Sequence, residues 1–139
     1  MKILIVSCCI ALGVFALSCT TESSGQKPLN PNGDSELALL MRLMYEDGME
    51  IREQIRKGEK PDIEFDFENI HTAQATDPAR MKTPDFDVFA ASYVQAVQAY
   101  KNAGKAEAET YFNGIVTACM NCHKSVCPGP SVRIKKMFL

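Results

Sequence analysis

The sequence predicts an all-α fold, an antiparallel four-helix bundle, on three observations. Apolar residues recur at helical spacing in four separate stretches. No stretch of the folded part shows the strict alternation of a half-buried strand. The connections are short enough to make successive helices neighbours. At 139 residues, 46% hydrophobic and 23% charged, the chain is long enough for one domain with a real core and too short for two.

The first helix is expected over residues 35–57. Leu37, Leu40, Met41, Met44, Ile51 and Ile55 follow the i, i+3, i+4, i+7 pattern of a core-facing stripe, with Asp34 placed to cap it and Gly58 to end it. A second, weaker stretch spans 63–76, opened by Pro61-Asp62 and carrying Phe65 or Phe67 with Ile70 and Ala73 on one side. Thr83-Pro84-Asp85 marks the third start, with Thr as N-cap and Pro in the first helical position. Phe86, Phe89, Tyr93, Ala96, Val97 and Tyr100 continue that stripe to Gly104. From Lys105 onward, Tyr111, Ile115, Ala118, Cys119, Cys122 and Val126 form the inward face of a fourth helix.

Two segments precede this domain, which is expected over 34–139. Residues 1–19 read as a targeting signal: Lys2 supplies the positive start, Ile3 to Leu17 are free of charge, and small residues follow. Phe15-Ala16-Leu17-Ser18-Cys19 resembles a bacterial lipobox, although the leucine stands two residues before the cysteine rather than three. That resemblance implies cleavage before Cys19 and a lipid on its thiol; simple cleavage near Ser18 or Cys19, with no lipid, is the alternative. Either way the chain is expected to be exported, to the periplasm, as a lipoprotein in the first case. Residues 20–33 are rich in Ser, Gly, Pro, Asn and Gln, cannot bury enough apolar surface to offset their ordering entropy, and read as a flexible linker. With 15 basic against 17 acidic residues, and no basic run interleaved with aromatics, no nucleic-acid surface is expected.

Cysteine placement carries the chemistry. Of the six cysteines, Cys8, Cys9 and Cys19 belong to the signal, leaving Cys119, Cys122 and Cys127. Three thiols cannot form a disulfide framework among themselves. The order Cys119-Met120-Asn121-Cys122-His123 is instead the spacing of covalent haem attachment: two thiols on one helical turn add across the porphyrin vinyl groups, and the adjacent imidazole takes the iron as proximal ligand. One haem c is therefore expected. A thioredoxin-like pair would need a strand running into the motif, and none precedes Cys119. A zinc site built from Cys119, Cys122, Cys127 and His123 is conceivable on ligand count alone.

A C-terminal haem motif on the last helix of such a bundle resembles the class II c-type cytochromes, cytochrome c-prime and its low-spin, methionine-ligated relatives. Arg56-Lys57-Gly58-Glu59-Lys60-Pro61 is similar to that group's junction between helices one and two, and the resemblance covers about residues 35–127. The chain departs from the family after its motif, adding Cys127-Pro128-Gly129-Pro130 and a basic tail with Arg133, Lys135 and Lys136. The resemblance implies a sixth iron ligand from helix one. Counting back from Lys57-Gly58 puts Met41 at the family's distal position, whereas matching Leu43-Met44 with Gly48 selects Met44. His71, the only other histidine, follows Ile70 directly and is expected to face away from the core.

The expectation is a monohaem one-electron carrier that is not itself an enzyme, with a redox partner protein of unknown identity and a membrane tether through a lipidated Cys19. The resemblance also implies a homodimer. The alternative is a five-coordinate haem protein that binds or senses NO or CO.

Overall fold

A computed structural model describes residues 34–139. The expected signal at 1–19 with Cys19, and the linker at 20–33, lie outside the described residues. These form five α-helices and no strand: α1 Glu36–Arg56, α2 Pro78–Met81, α3 Pro84–Asn102, α4 Ala108–Ser125 and α5 Ser131–Ile134.

The first helix begins one residue later than expected, and its cap is Ser35 rather than Asp34. Ser35 is extended, and its hydroxyl accepts from the Ala38 N–H at 3.2 Å. Asp34 instead pairs with Arg42, two turns along α1. Gly58 ends the helix as anticipated, adopting φ of 78°, with its N–H on the Ile55 carbonyl at 2.8 Å.

The expected second helix does not form. Residues 63–76 hold a single 3₁₀ turn, Phe67–His71, whose N-cap Asp66 makes no side-chain capping bond. The physical reason lies in α3: Tyr100 Oη donates to the Pro61 carbonyl at 2.8 Å and Lys101 Nζ to the Ile63 carbonyl at 2.7 Å. A helix starting here would need those carbonyls itself. The Asp-Phe-Glu-Asn-Ile-His run also has little intrinsic helical preference to compete with them. Downstream, the short α2 is capped by Asp77, which accepts from the Ala79 N–H at 3.2 Å. The architecture is therefore three long helices joined by an irregular connection that carries two short turns.

The signals for the third and fourth helices hold closely. Thr83 caps α3 through Phe86 N–H at 3.3 Å, with Pro84 in its first turn. A 3₁₀ turn over Lys105–Glu107 leads into α4. Tyr111, expected on the inward stripe of α4, is exposed, and Phe112 occupies the core instead, a phase shift of one residue.

The α3–α4 pair is the most extensive packing in the domain. Its centre is Val97, Tyr100, Phe112 and Val116, all fully buried, with the Tyr100 and Phe112 rings meeting edge to face at 6.4 Å. α1 touches this pair sparingly. It is joined to the rest largely through the 3₁₀ turn at 67–71 and the 3₁₀ turn Lys135–Met137 in the C-terminal tail.

Removing Phe112 at this centre is expected to cost about 3–5 kcal/mol. Removing the half-buried Thr83 cap, by Thr83→Ala, is expected to cost about 1 kcal/mol. Urea unfolding of the two variants measures both, and equal losses would contradict the placement of the core.

Candidate functional site

The Cys-x-x-Cys-His motif occupies the last two turns of α4. The helix reaches this far because Ala118 and Met120 are buried on its core face, and it closes with the Val126 N–H on the Cys122 carbonyl at 2.8 Å. Pro128 then disfavours helical geometry at Cys127 and supplies no N–H of its own, so the chain leaves the helix axis. That turn brings the Cys127 carbonyl to 2.8 Å from His123 Nδ1. A carbonyl can only accept, so Nδ1 carries the proton and Nε2 keeps its lone pair for a metal. This is the arrangement in which a ligating histidine is held by its second nitrogen.

His123 and Cys122 line a cleft of about 340 Å³ between the first part of α1, the α2 segment, the start of α3 and the end of α4. That volume lies at the lower end of the ~300–1,000 Å³ typical of cofactor and small-molecule sites. Its walls are Leu37, Ala38, Met41, Met81, Phe86 and Val126, and its mouth is polar, with Ser35, Thr76, Asp77 and Arg80. The mouth is organised by hydrogen bonds: Thr76 Oγ1 with Ser35 Oγ at 3.0 Å, and Arg80 Nε to Asp77 Oδ2 at 3.0 Å.

Of the two methionines singled out from the sequence, Met41 lies in this cleft with His123, and Met44 does not. Met44 is buried and lines a second, much smaller hollow with Tyr93, Phe112, Met137 and Cys119. Cys119 thus sits one turn back along α4 from the cleft. His71 is exposed in the 3₁₀ turn, as its neighbour Ile70 takes the buried position.

Thiol acidity bears on the competing chemistries. Burial, then the neighbouring Cys122, pushes the Cys119 thiol up to about 12, and burial followed by Cys127 raises Cys122. A redox-active dithiol needs the opposite setting, electropositive and partly exposed, with a depressed pKa. The three thiols are free. Nor do any three His, Cys, Asp or Glu side chains among the described residues converge as a metal-holding group, so Cys119, Cys122, Cys127 and His123 do not assemble the zinc knot allowed by ligand count.

Comparison with family models, with curated proteins and with solved structures gave no match. The chemistry of the site rests on its own residues. A haem fits the donor set: an oriented imidazole with a free Nε2, a thiol beside it, apolar walls and a thioether in the same cleft. The sequence reading missed Met81 and Arg80, which belong to a segment without periodicity. Cys127, a zinc candidate by ligand count, contributes its backbone carbonyl instead. The one signal for that contribution is the proline that follows it.

Cys119 titrates well above its ordinary value of 9.0, towards about 12. Because the folded value is raised, the stability it contributes is full below pH 9, where the unfolded thiol is also neutral, and is lost as pH rises from there towards 12. Urea unfolding of protein with its thiols free across that range should show the decline, and Cys119→Ala should remove this thiol's share of it.

Proposed function

We propose that this chain is an exported monohaem c-type cytochrome, a one-electron carrier of the class II type. Cys119 and Cys122 would provide the thioether attachments and His123 the proximal iron ligand. In this reading the segment 62–82 takes the place of the second helix of a four-helix haem bundle. The observation that carries the reading is the His123 Nδ1 to Cys127 carbonyl bond at 2.8 Å, on a motif whose spacing already suits covalent haem.

When bound, the haem supplies a one-electron ferrous–ferric couple, and the chain's own residues tune it. The Cys127 carbonyl fixes the tautomer and ring orientation of His123 and would strengthen its donation to the iron, which favours the ferric state. Leu37, Ala38, Phe86 and Val126 exclude water from the cleft, while the Arg80 guanidinium and the Ser35 and Thr76 hydroxyls provide donors at its mouth for a carboxylate-bearing cofactor edge. Met41 is the distal candidate favoured by the cleft, because it alone of the helix-one pair shares a wall with His123. No acid, base or nucleophile beyond these is required for electron transfer, so the protein is read as a carrier rather than an enzyme. In this reading the membrane tether is a lipid on Cys19; among the described residues no helix is long and apolar enough to cross a membrane. The redox partner is another protein.

The test is the visible spectrum of protein matured with haem, in wild type, Met41→Ala and Met44→Ala. The expected result is a low-spin wild type with a weak methionine-to-iron band in the far red, lost in Met41→Ala and kept in Met44→Ala. A high-spin wild type that binds CO readily would replace the carrier with a gas-binding haem protein, and a colourless product would remove both. Cys127→Ala, which spares the carbonyl, is expected to leave the reduction potential nearly unchanged, while Pro128→Gly, which loosens the turn, should raise it.

A further inference from the structure

α1 carries the distal candidate Met41, α4 carries His123, and the two helices meet directly in few places. Between them runs the tail after Pro130. On the α1 side, Arg52 Nε donates to the Phe138 carbonyl at 3.1 Å and the Arg133 guanidinium lies 4.6 Å over the Tyr45 ring, one turn after Met41. On the α4 side, the Leu139 N–H donates to Asn113 Oδ1 at 3.0 Å. Ile134 and Met137 are buried between these anchors.

The tail also packs against Gly48. A Cβ there would meet Met137 Cε, the flexible end of that side chain, so the methionine packs into a notch at Gly48 from which a larger side chain would displace it. Glycine in a helix interior is unfavourable in itself, and here it admits the tail. Met137 and Cys119 also line the same small hollow, so the tail reaches the surroundings of the first cysteine of the motif.

We propose that residues 131–139 form a clasp that sets the spacing of α1 from α4, with Met137 in the Gly48 notch as its positioning residue. Its functional consequence rests on the haem reading: the clasp decides whether Met41 stands close enough to His123 to complete six-coordination. The tail anchors α1 at Tyr45, Gly48 and Arg52, the stretch that follows Met41. Interiors are close-packed, so a displacement there is carried to the neighbouring turn rather than absorbed. The other end of the cleft has its own tie, with the Leu37 N–H on the Gln74 carbonyl at 3.0 Å and the Gln74 N–H on Glu36 Oε2 at 3.1 Å. The clasp is therefore the restraint that a change in the tail would release.

The experiment compares full-length wild type, Met137→Ala, Gly48→Leu and the milder Arg52→Ala, each with and without haem. In haem-free protein, the rate of Cys119 alkylation, resolved by peptide mass, is expected to rise roughly tenfold or more in Met137→Ala and Gly48→Leu, as local opening becomes easier. In haem-loaded protein, the same variants are expected to keep their haem content, lose low-spin fraction and bind CO, with Arg52→Ala shifted in the same direction by less. Unchanged Cys119 protection together with a wild-type spectrum in the variants would reduce the tail to ordinary packing and overturn the clasp. If Met137→Ala and Gly48→Leu fail to fold, Arg52→Ala decides by the same two readouts. A wild type without haem overturns the cytochrome reading alone, and the alkylation rates still decide the clasp.

Discussion

The packing of α3 on α4 is the constraint from which the rest follows. Val97, Tyr100, Phe112 and Val116 lose all contact with water at this interface, a burial of aromatic and aliphatic surface of the kind that dominates folding free energy. The same pair organises what surrounds it. Tyr100 and Lys101, at the end of α3, capture the carbonyls of Pro61 and Ile63 and hold the connection from α1 in an extended path. The end of α4 presents the motif on a rigid support.

Because α3 and α4 satisfy one another, α1 is left as the looser wall of the domain. That looseness has a use. A helix packed tightly against both partners would leave no cleft beside His123, whereas one held at intervals by the connection and the tail leaves an apolar slot with a polar mouth. The price is that the slot's width depends on a few contacts, chiefly Met137 against Gly48 and the Arg52 bond to Phe138. A site built this way is preorganised by its ties rather than by continuous helix packing.

The turn at Cys127-Pro128 has a comparable economy. A proline that stops the helix also returns a carbonyl to the histidine one turn earlier, so the end of α4 and the orientation of His123 share a cause. The basic tail that follows was a departure from the resembling family when met in the sequence. In the structure it is a load carried across α1 and α4, with Arg133 on an aromatic face.

Local signals were enough for the elements that depend on local chemistry. The Thr83-Pro84 start, the glycine stop at Gly58, the stripes of α1 and α3, and the placing of Cys119, Cys122 and His123 on one helix could all be read from spacing, since caps, prolines and 3.6-residue periodicity act within a few residues. Three matters were decided only by tertiary contacts. Residues 63–76 had enough apolar periodicity to suggest a helix, but α3 takes the Ile63 carbonyl at its start and the Pro61 carbonyl just before it. Met41 and Met44 share one stripe, and only the position of α4 separates the residue facing the cleft from the one facing the core. The notch at Gly48 is invisible in sequence because its partner, Met137, lies almost at the other end of the domain. Periodicity tells which side of a helix is apolar; what that side meets is settled by residues distant along the chain.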